Sequence, residues 1–336
     1  MRISPPIAAV AVVAFATACS SLSGKENGSQ AASPLPSPRL FLAGDSELWV
    51  VETGTGKVRH LRVPELSAGD APYRILRRGN RLVLWGGATY VRNPNLAKPA
   101  VPLAEDAGFF IPSAREDRVW LGIFEPNSNA MLAAVREVTV TGEVTVPDTK
   151  PPGGRWPDAA VTDGLLFSTD AGAELLWDPL SRRALRRLPI THPGPSLGNL
   201  VASCERRCEA LRLTDADTGA SRTIAVPDGF DSFDPWDGAF SPGGSLLALP
   251  VKLQARANSE FALGLVDVRR GLVRVVVGSF VPSGYTLVAW SSSGEDVFLT
   301  GGERFGKRVI VSYRLGSDRA KPLDVSVGDF YGIASS

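Results

Sequence analysis

The chain has 336 residues, 44% of them apolar and 21% charged, with a formal net charge of +1. That is length enough for a large core, and so near-neutral a balance gives no argument for a nucleic-acid partner, and none is expected. With 34 Gly and 26 Pro, frequent turns are expected.

At the N-terminus, "MRISPPIAAVAVVAFATACSS" puts one Arg ahead of an apolar run, Ile7 to Ala18, and then Cys19. The run falls short of the roughly 20 residues that a membrane helix needs and suits the core of a signal peptide, so residues 1–18 are read as a leader and export is expected. No later stretch of the sequence is long and apolar enough to span. Two peptidases fit the bond before Cys19. Ala16, Thr17 and Ala18 satisfy the small-x-small rule of ordinary secretion. "ATAC" also resembles a bacterial lipobox, in which the Cys is diacylated and becomes the mature N-terminus, with Ala16 where Leu is usual. Ordinary secretion would leave an unpaired thiol at the first residue in an oxidising compartment. The expectation is therefore a lipid anchor at Cys19 on the outer face of the cell membrane, with plain secretion as the alternative. Residues 19–38, "CSSLSGKENGSQAASPLPSP", form a low-complexity tether.

From residue 39 onward one pattern recurs: an apolar strand, a polar residue, a short turn often holding Gly, and a second strand. It reads "ELWVVETGTGKVRHL", "ATYVRNPNLAKPAV", "AAVREVTVTGEVTV", "ELLWDPLSRRALRRL", "ALRLTDADTGASRTI", "ALGLVDVRRGLVRVV" and "RVIVSYRLGSDRAKPL". The residue before each turn is Glu52, Arg92, Val138, Asp178, Asp215, Asp267 and Arg314, at intervals of 37 to 52 residues. Upstream lie further strand pairs, clearest in "AFSPGGSLLALPV" and "AWSSSGEDVFLTG". Each unit thus holds about four short strands, which argues for an all-β chain. "NAMLAAVREV" has helical propensity, but its place in the repeat makes it a strand, since tertiary context overrides propensity.

Four-stranded units at this spacing predict a β-propeller over residues 39–336, with seven blades of about 43 residues each. The first copy lacks an innermost strand, while "GDFYGIASS" at the C-terminus is a spare one. Pairing the two would close the ring and remove exposed edges. The copies resemble the WD40-like and YVTN-type propeller repeats of exported bacterial proteins. "FSPGGSLLAL" is similar to their Phe-Ser-Pro-Asp-Gly signature, with Gly243 in place of Asp, and "TDADTG" to their Asp-x-x-Thr-Gly turn. The resemblance implies a fold and leaves function open.

Cys204 is expected to end one strand and Cys208 to begin the next, with "ERR" as the loop between them. A three-residue hairpin loop would bring such residues within disulfide range. Zinc needs about four ligands, and the chain's two histidines, His60 and His192, are not at ligand spacing. Export supplies the oxidising compartment, so a structural disulfide is expected.

Candidate ligand-binding residues come from the connections between blades. "GFDSFDPWDGAFSPGG" concentrates Asp234, Trp236 and Asp237 ahead of the sixth blade. "GRWPDAAV" brings Trp156 and Asp158 to the fourth, and "GYTLVAW" brings Tyr285 to the seventh. Aromatics with carboxylates suit a sugar, a cationic group or a peptide; the plainer alternative is aromatics packed between blades and aspartates capping turns. "DADTG" lacks the remaining ligands of a calcium loop and reads as a hairpin turn. No G-x-S-x-G or H-E-x-x-H occurs, so no catalytic residue, metal or cofactor is assigned. The expected role is a non-enzymatic, membrane-anchored binding or scaffold module for an envelope protein, peptide or glycan. The alternative is a carbohydrate-active hydrolase or lyase, with Asp158 and Asp237 as its carboxylates.

Overall fold

The computed structural model describes residues 37–336, apart from 65, 67–74, 126–130, 170–172, 206, 255–259, 285 and 303–307. The leader, residues 19–36 of the tether with Cys19 among them, and Tyr285 lie outside the described residues. Among the described residues all regular structure is β, save a 3₁₀ turn at Pro152–Gly154.

Seven antiparallel sheets follow one another along the chain, and five of them are simple meanders from an inner to an outer strand. Blade two runs through Ile75–Arg78, Arg81–Trp85, Thr89–Arg92 and Val101–Ala104. Blade three comprises Ala107–Pro112, Arg118–Phe124, Leu132–Thr139 and Val144–Thr149. Blade four comprises Ala159–Val161, Gly164–Ser168, Glu174–Asp178 and Arg183–Leu188. Blade five comprises Pro193–Leu197, Leu200–Cys204, Ala210–Asp215 and Ser221–Ala225. Blade seven comprises Leu287–Trp290, Asp296–Gly302, Arg308–Arg314 and Lys321–Pro322.

Blade one departs from the meander. Its strands Arg39–Ala43, Glu47–Glu52 and Lys57–Arg62 take their innermost partner from the far end of the chain, Gly332–Ser335. The register is Leu40 opposite Ser335 through Ala43 opposite Gly332. The C-terminal strand therefore closes the ring as the sequence predicts. Blade six is irregular too. Its inner strand is split into Phe230–Phe233 and Ala239–Phe240, both paired with Leu246–Leu253. Glu260–Asp267 pairs in turn with Leu272–Val275 and Val281–Pro282.

Packing explains the strand compositions. In blade one "LWVV" is buried on both sides, because a middle strand is sandwiched between neighbouring blades. The outer strand "KVRHLR" sets half-buried Val58 and Leu61 among exposed Lys57, Arg59, His60 and Arg62, and such polar edges discourage edge-to-edge pairing. Each core cluster joins two consecutive blades. Leu82, Leu84 and Ile75 meet Phe41 and Val50 between blades two and one. Phe298 and Ile310 of blade seven meet Leu40, Leu42 and Trp49 of blade one, with Phe330 among them. Every one of the seven successive interfaces has such a cluster. The chain is a seven-bladed β-propeller.

Two local expectations need correction. The repeat residue of blade three is Thr139, the last of its strand, and not Val138. Irregularities in the pairing of Leu132–Thr139 with Val144–Thr149 displace the turn by one position. The Cys204–Cys208 disulfide is present, with Cα atoms 4.9 Å apart, but Cys208 does not open the next strand, which begins at Ala210. Cys204 faces Leu211 across the ladder. Cys208 has a left-handed φ of 52°. Its N–H donates to the Glu205 carbonyl at 2.8 Å, and its own carbonyl accepts from the Phe233 N–H at 2.9 Å. That last bond takes Cys208 out of the blade-five ladder and ties the hairpin to blade six.

Candidate ligand-binding face

Strand direction alternates along a meander, so its connections sort onto two faces. Turns from first to second and from third to fourth strand share one face, here the turn face. Second-to-third hairpins and blade-to-blade connections share the other, the connection face.

On the turn face, backbone donors satisfy the repeat aspartates. Asp215 accepts from the N–H groups of Asp217 and Thr218, both at 2.9 Å. Gly219 supplies the left-handed φ of 75° that completes the turn. Asp267 accepts likewise from Arg269 and Arg270 at 3.0 and 2.8 Å. Asp178 accepts from Leu180 and Ser181 at 2.9 and 3.2 Å. Burial pushes the Asp178 carboxyl up, but bonds from Ser181 and from the Leu180 and Ser181 backbone outweigh it and hold the group below its ordinary value. The calcium-like "DADTG" is thus a capped turn.

Trp156, Asp158, Asp234, Trp236 and Asp237 lie on the connection face, in two groups. The first stands where blade three hands over to blade four. Trp156 stacks on Phe109 at 4.3 Å between centroids and leans on Phe124 at 5.3 Å. It is a partly buried member of the interface between those blades. Two residues on, exposed Asp158 accepts from the Ser168 N–H at 2.7 Å and lies 3.0 Å from the Ser168 hydroxyl. That hydroxyl is also 2.9 Å from Oε1 of Glu174, which is only 2% exposed. Burial first, and then the Asp158 charge, push the Glu174 carboxyl up to about 8.

The second group is residues 234–238, which interrupt the inner strand of blade six. The Asp234 N–H donates to the Pro250 carbonyl at 2.8 Å, and the Gly238 N–H closes a turn on the Pro235 carbonyl at 3.0 Å. Burial raises the Asp234 carboxyl, while bonds from the Trp236 and Asp237 backbone pull against it. Half-buried Asp237 accepts from the Thr286 hydroxyl at the head of blade seven. Burial, then the Asp234 charge, push Asp237 up to about 7. Trp236 is 51% exposed, with His192 edge-on at 5.9 Å. From blade five, Gly194 approaches so closely that an added Cβ would lie 2.7 Å from the Pro235 carbonyl.

Asp158 and Asp237 therefore belong to different clusters, each with its own carboxyl neighbour. Sequence reasoning missed Glu174, Ser168, Thr286 and His192. Glu174 opens a strand of its repeat copy, where a polar residue is unremarkable, and its burial comes from the arriving connection. Position at blade heads was the one signal that could have gathered the rest.

No protein-family model matches the chain, and no curated protein does. Among solved structures it is similar to AztD of Citrobacter koseri, at 14% identity over 89% of this chain and 97% of that one, TM-score 0.47. Hsv2 of Kluyveromyces lactis is 13% identical over 90% and 94%, TM-score 0.48. TolB of Acinetobacter baumannii is 12% identical over 89% of this chain and 66% of its own, TM-score 0.45. Likeness at that level says nothing of function. The propeller assignment rests on strand order and the seven interfaces.

Proposed function

We propose that the protein is an exported, lipid-anchored propeller that works by binding, and that its connection face receives an envelope protein, peptide or glycan. The anchor is Cys19, supported by the lipobox-like "ATAC" and the tether behind it. The observation that carries the binding reading is Trp236. An indole left half in water beside two inward-held carboxylates suits a partner that brings apolar surface with a hydroxyl or cationic group.

The test is crosslinking capture from intact cells with full-length protein, Cys19→Ala and Trp236→Ala. The reading expects one stoichiometric envelope partner, lost with Trp236→Ala, and release from the membrane with Cys19→Ala. Capture indifferent to Trp236→Ala would remove the site, and retained attachment would remove the anchor. A second reading, a carbohydrate-active hydrolase or lyase, draws on Asp237, whose carboxyl keeps its proton up to about pH 7. Asp237→Asn would then abolish turnover of a glycan substrate, whereas a binding module would show no turnover in either form.

A further inference from the structure

The group around Ser168 poses a problem of proton counting. Ser168 has one hydroxyl proton and two carboxyl neighbours, Asp158 Oδ2 at 3.0 Å and Glu174 Oε1 at 2.9 Å. One proton cannot serve both. Asp158 Oδ2 already receives the Ser168 N–H at 2.7 Å, so two donors converge there, as befits the ionised partner. Glu174 is 2% exposed, its carboxyl lies against that of Asp158, and no donor among the described residues reaches its buried Oε2. A neutral acid tolerates an unpartnered carbonyl-type oxygen far better than a carboxylate does. The arrangement is consistent when Glu174 carries its own proton and donates it to Ser168 Oγ, which donates onward to Asp158.

Among the described residues, none offers Glu174 a counter-charge. Across the inner strand its partner is Ser168, and across the outer strand it is Leu188. Arg187 pairs one step along, with Leu175, on the alternate side of the sheet. From the connection come Asp158 and Arg155, whose Nη1 donates to the Ser168 carbonyl at 2.8 Å. Lys150, at the head of that connection, pairs with Glu125 at 3.6 Å. Among the described residues no ion pair reaches Glu174.

We propose that Glu174, Ser168 and Asp158 form a proton-operated latch, which fastens the connection entering blade four to the ends of its second and third strands while Glu174 is protonated and frees it when that proton leaves. Ionised, Glu174 and Asp158 would compete for a single hydroxyl proton, two like charges of which the one on Glu174 is shut off from water. Separation of the two segments relieves this by letting water reach Glu174. The upward shift of Glu174 to about 8 places the change in the mildly alkaline range. The latch lies on the connection face but does not depend on any partner binding there.

The test is a titration of purified full chain labelled with ¹³C at the glutamate carboxyls, with thermal melting between about pH 6 and pH 9. One glutamate resonance, absent from Glu174→Gln, titrates near pH 8. As pH rises, the melting temperature of wild type falls relative to Glu174→Gln by on the order of 5 °C, because Gln keeps a donor to Ser168 and has no proton to lose. Should Glu174→Gln fail to fold, Asp158→Asn serves instead, since removing the neighbouring charge moves the Glu174 titration to lower pH. The latch is overturned if the Glu174 resonance titrates in the ordinary carboxylate range. It is equally overturned if the two melting profiles run parallel, or if Asp158→Asn leaves the titration where it was.

Discussion

Glu137 and Glu174 make an instructive pair. Both are buried, at 7% and 2% exposure, in the third strands of adjacent blades. They stand at opposite ends of those strands, one towards the turn face and one towards the connection face. Glu137 is met by three donors: the Ser113 and Thr145 hydroxyls, both at 2.6 Å, and Arg118 Nη1 at 3.1 Å. Glu174 is met by one shared hydroxyl and a second carboxyl. A buried carboxyl can be stabilised by donors or by a proton, and this molecule uses one remedy at each end. The aspartates follow suit. Backbone amides hold Asp178, Asp215 and Asp267 on the turn face, while Asp237 on the connection face is driven towards its neutral form. One face holds its carboxyls with donors; the other keeps carboxyls driven towards their neutral form.

That contrast can be broken most sharply by conservative substitution. Glu137→Gln deprives Arg118 of its buried partner and presents an amide donor to two hydroxyls, and should cost about 3 kcal/mol in denaturant unfolding. Glu174→Gln should cost next to nothing at neutral pH. Equal costs for the two would end the distinction between the faces.

A smaller effect separates covalent from polar support on the connection face. Reducing Cys204–Cys208, or changing both residues to Ser, should cost roughly 2 kcal/mol. Hydrogen exchange should then rise at the Phe233 amide, which donates to the Cys208 carbonyl. Protection unchanged at Phe233 would mean that the disulfide stabilises blade five alone.

The third test is one of sign. A carboxyl whose folded value is raised contributes stability fully below its unfolded value and loses it as pH rises through the folded one. Asp237 should therefore weaken the fold as pH climbs to about 7. Asp237→Asn should be neutral in acid and stabilising by about 1 kcal/mol in mild base, a figure reduced for its half-exposed setting. Asp178 should show the reverse. Its lowered carboxyl contributes above the unfolded value, so that Asp178→Ala should cost about 0.5 kcal/mol at neutral pH and nothing in strong acid.

Much of the propeller was legible because each repeat copy carries its own turn. Six of the seven positions chosen as the residue before the turn, Glu52, Arg92, Asp178, Asp215, Asp267 and Arg314, end the third strand of their blade. The exception is Val138, where irregular pairing, invisible to pattern, moves the turn to Thr139. The spare C-terminal strand could be placed because pairing removes edges. The site was harder to read. Asp234, Trp236 and Asp237 are adjacent in the chain and could be collected, yet Thr286 joins them from the next blade. Glu174 becomes unusual when Asp158, from the preceding connection, arrives beside it. Contacts made by connections depend on how blades abut, and the repeat does not encode that.

The closing strand sets an order in time. Arg39 and Ser336 are bonded across a separation of 297 residues, a span whose ends are slow to meet because loop closure opposes them. Until Gly332–Ser335 is available, Arg39–Ala43 presents an unpaired edge and Phe298 and Ile310 lack part of their cover. That contact converts a row of blades into a ring, and a chain without Gly332–Ser335 would be left with two sticky ends.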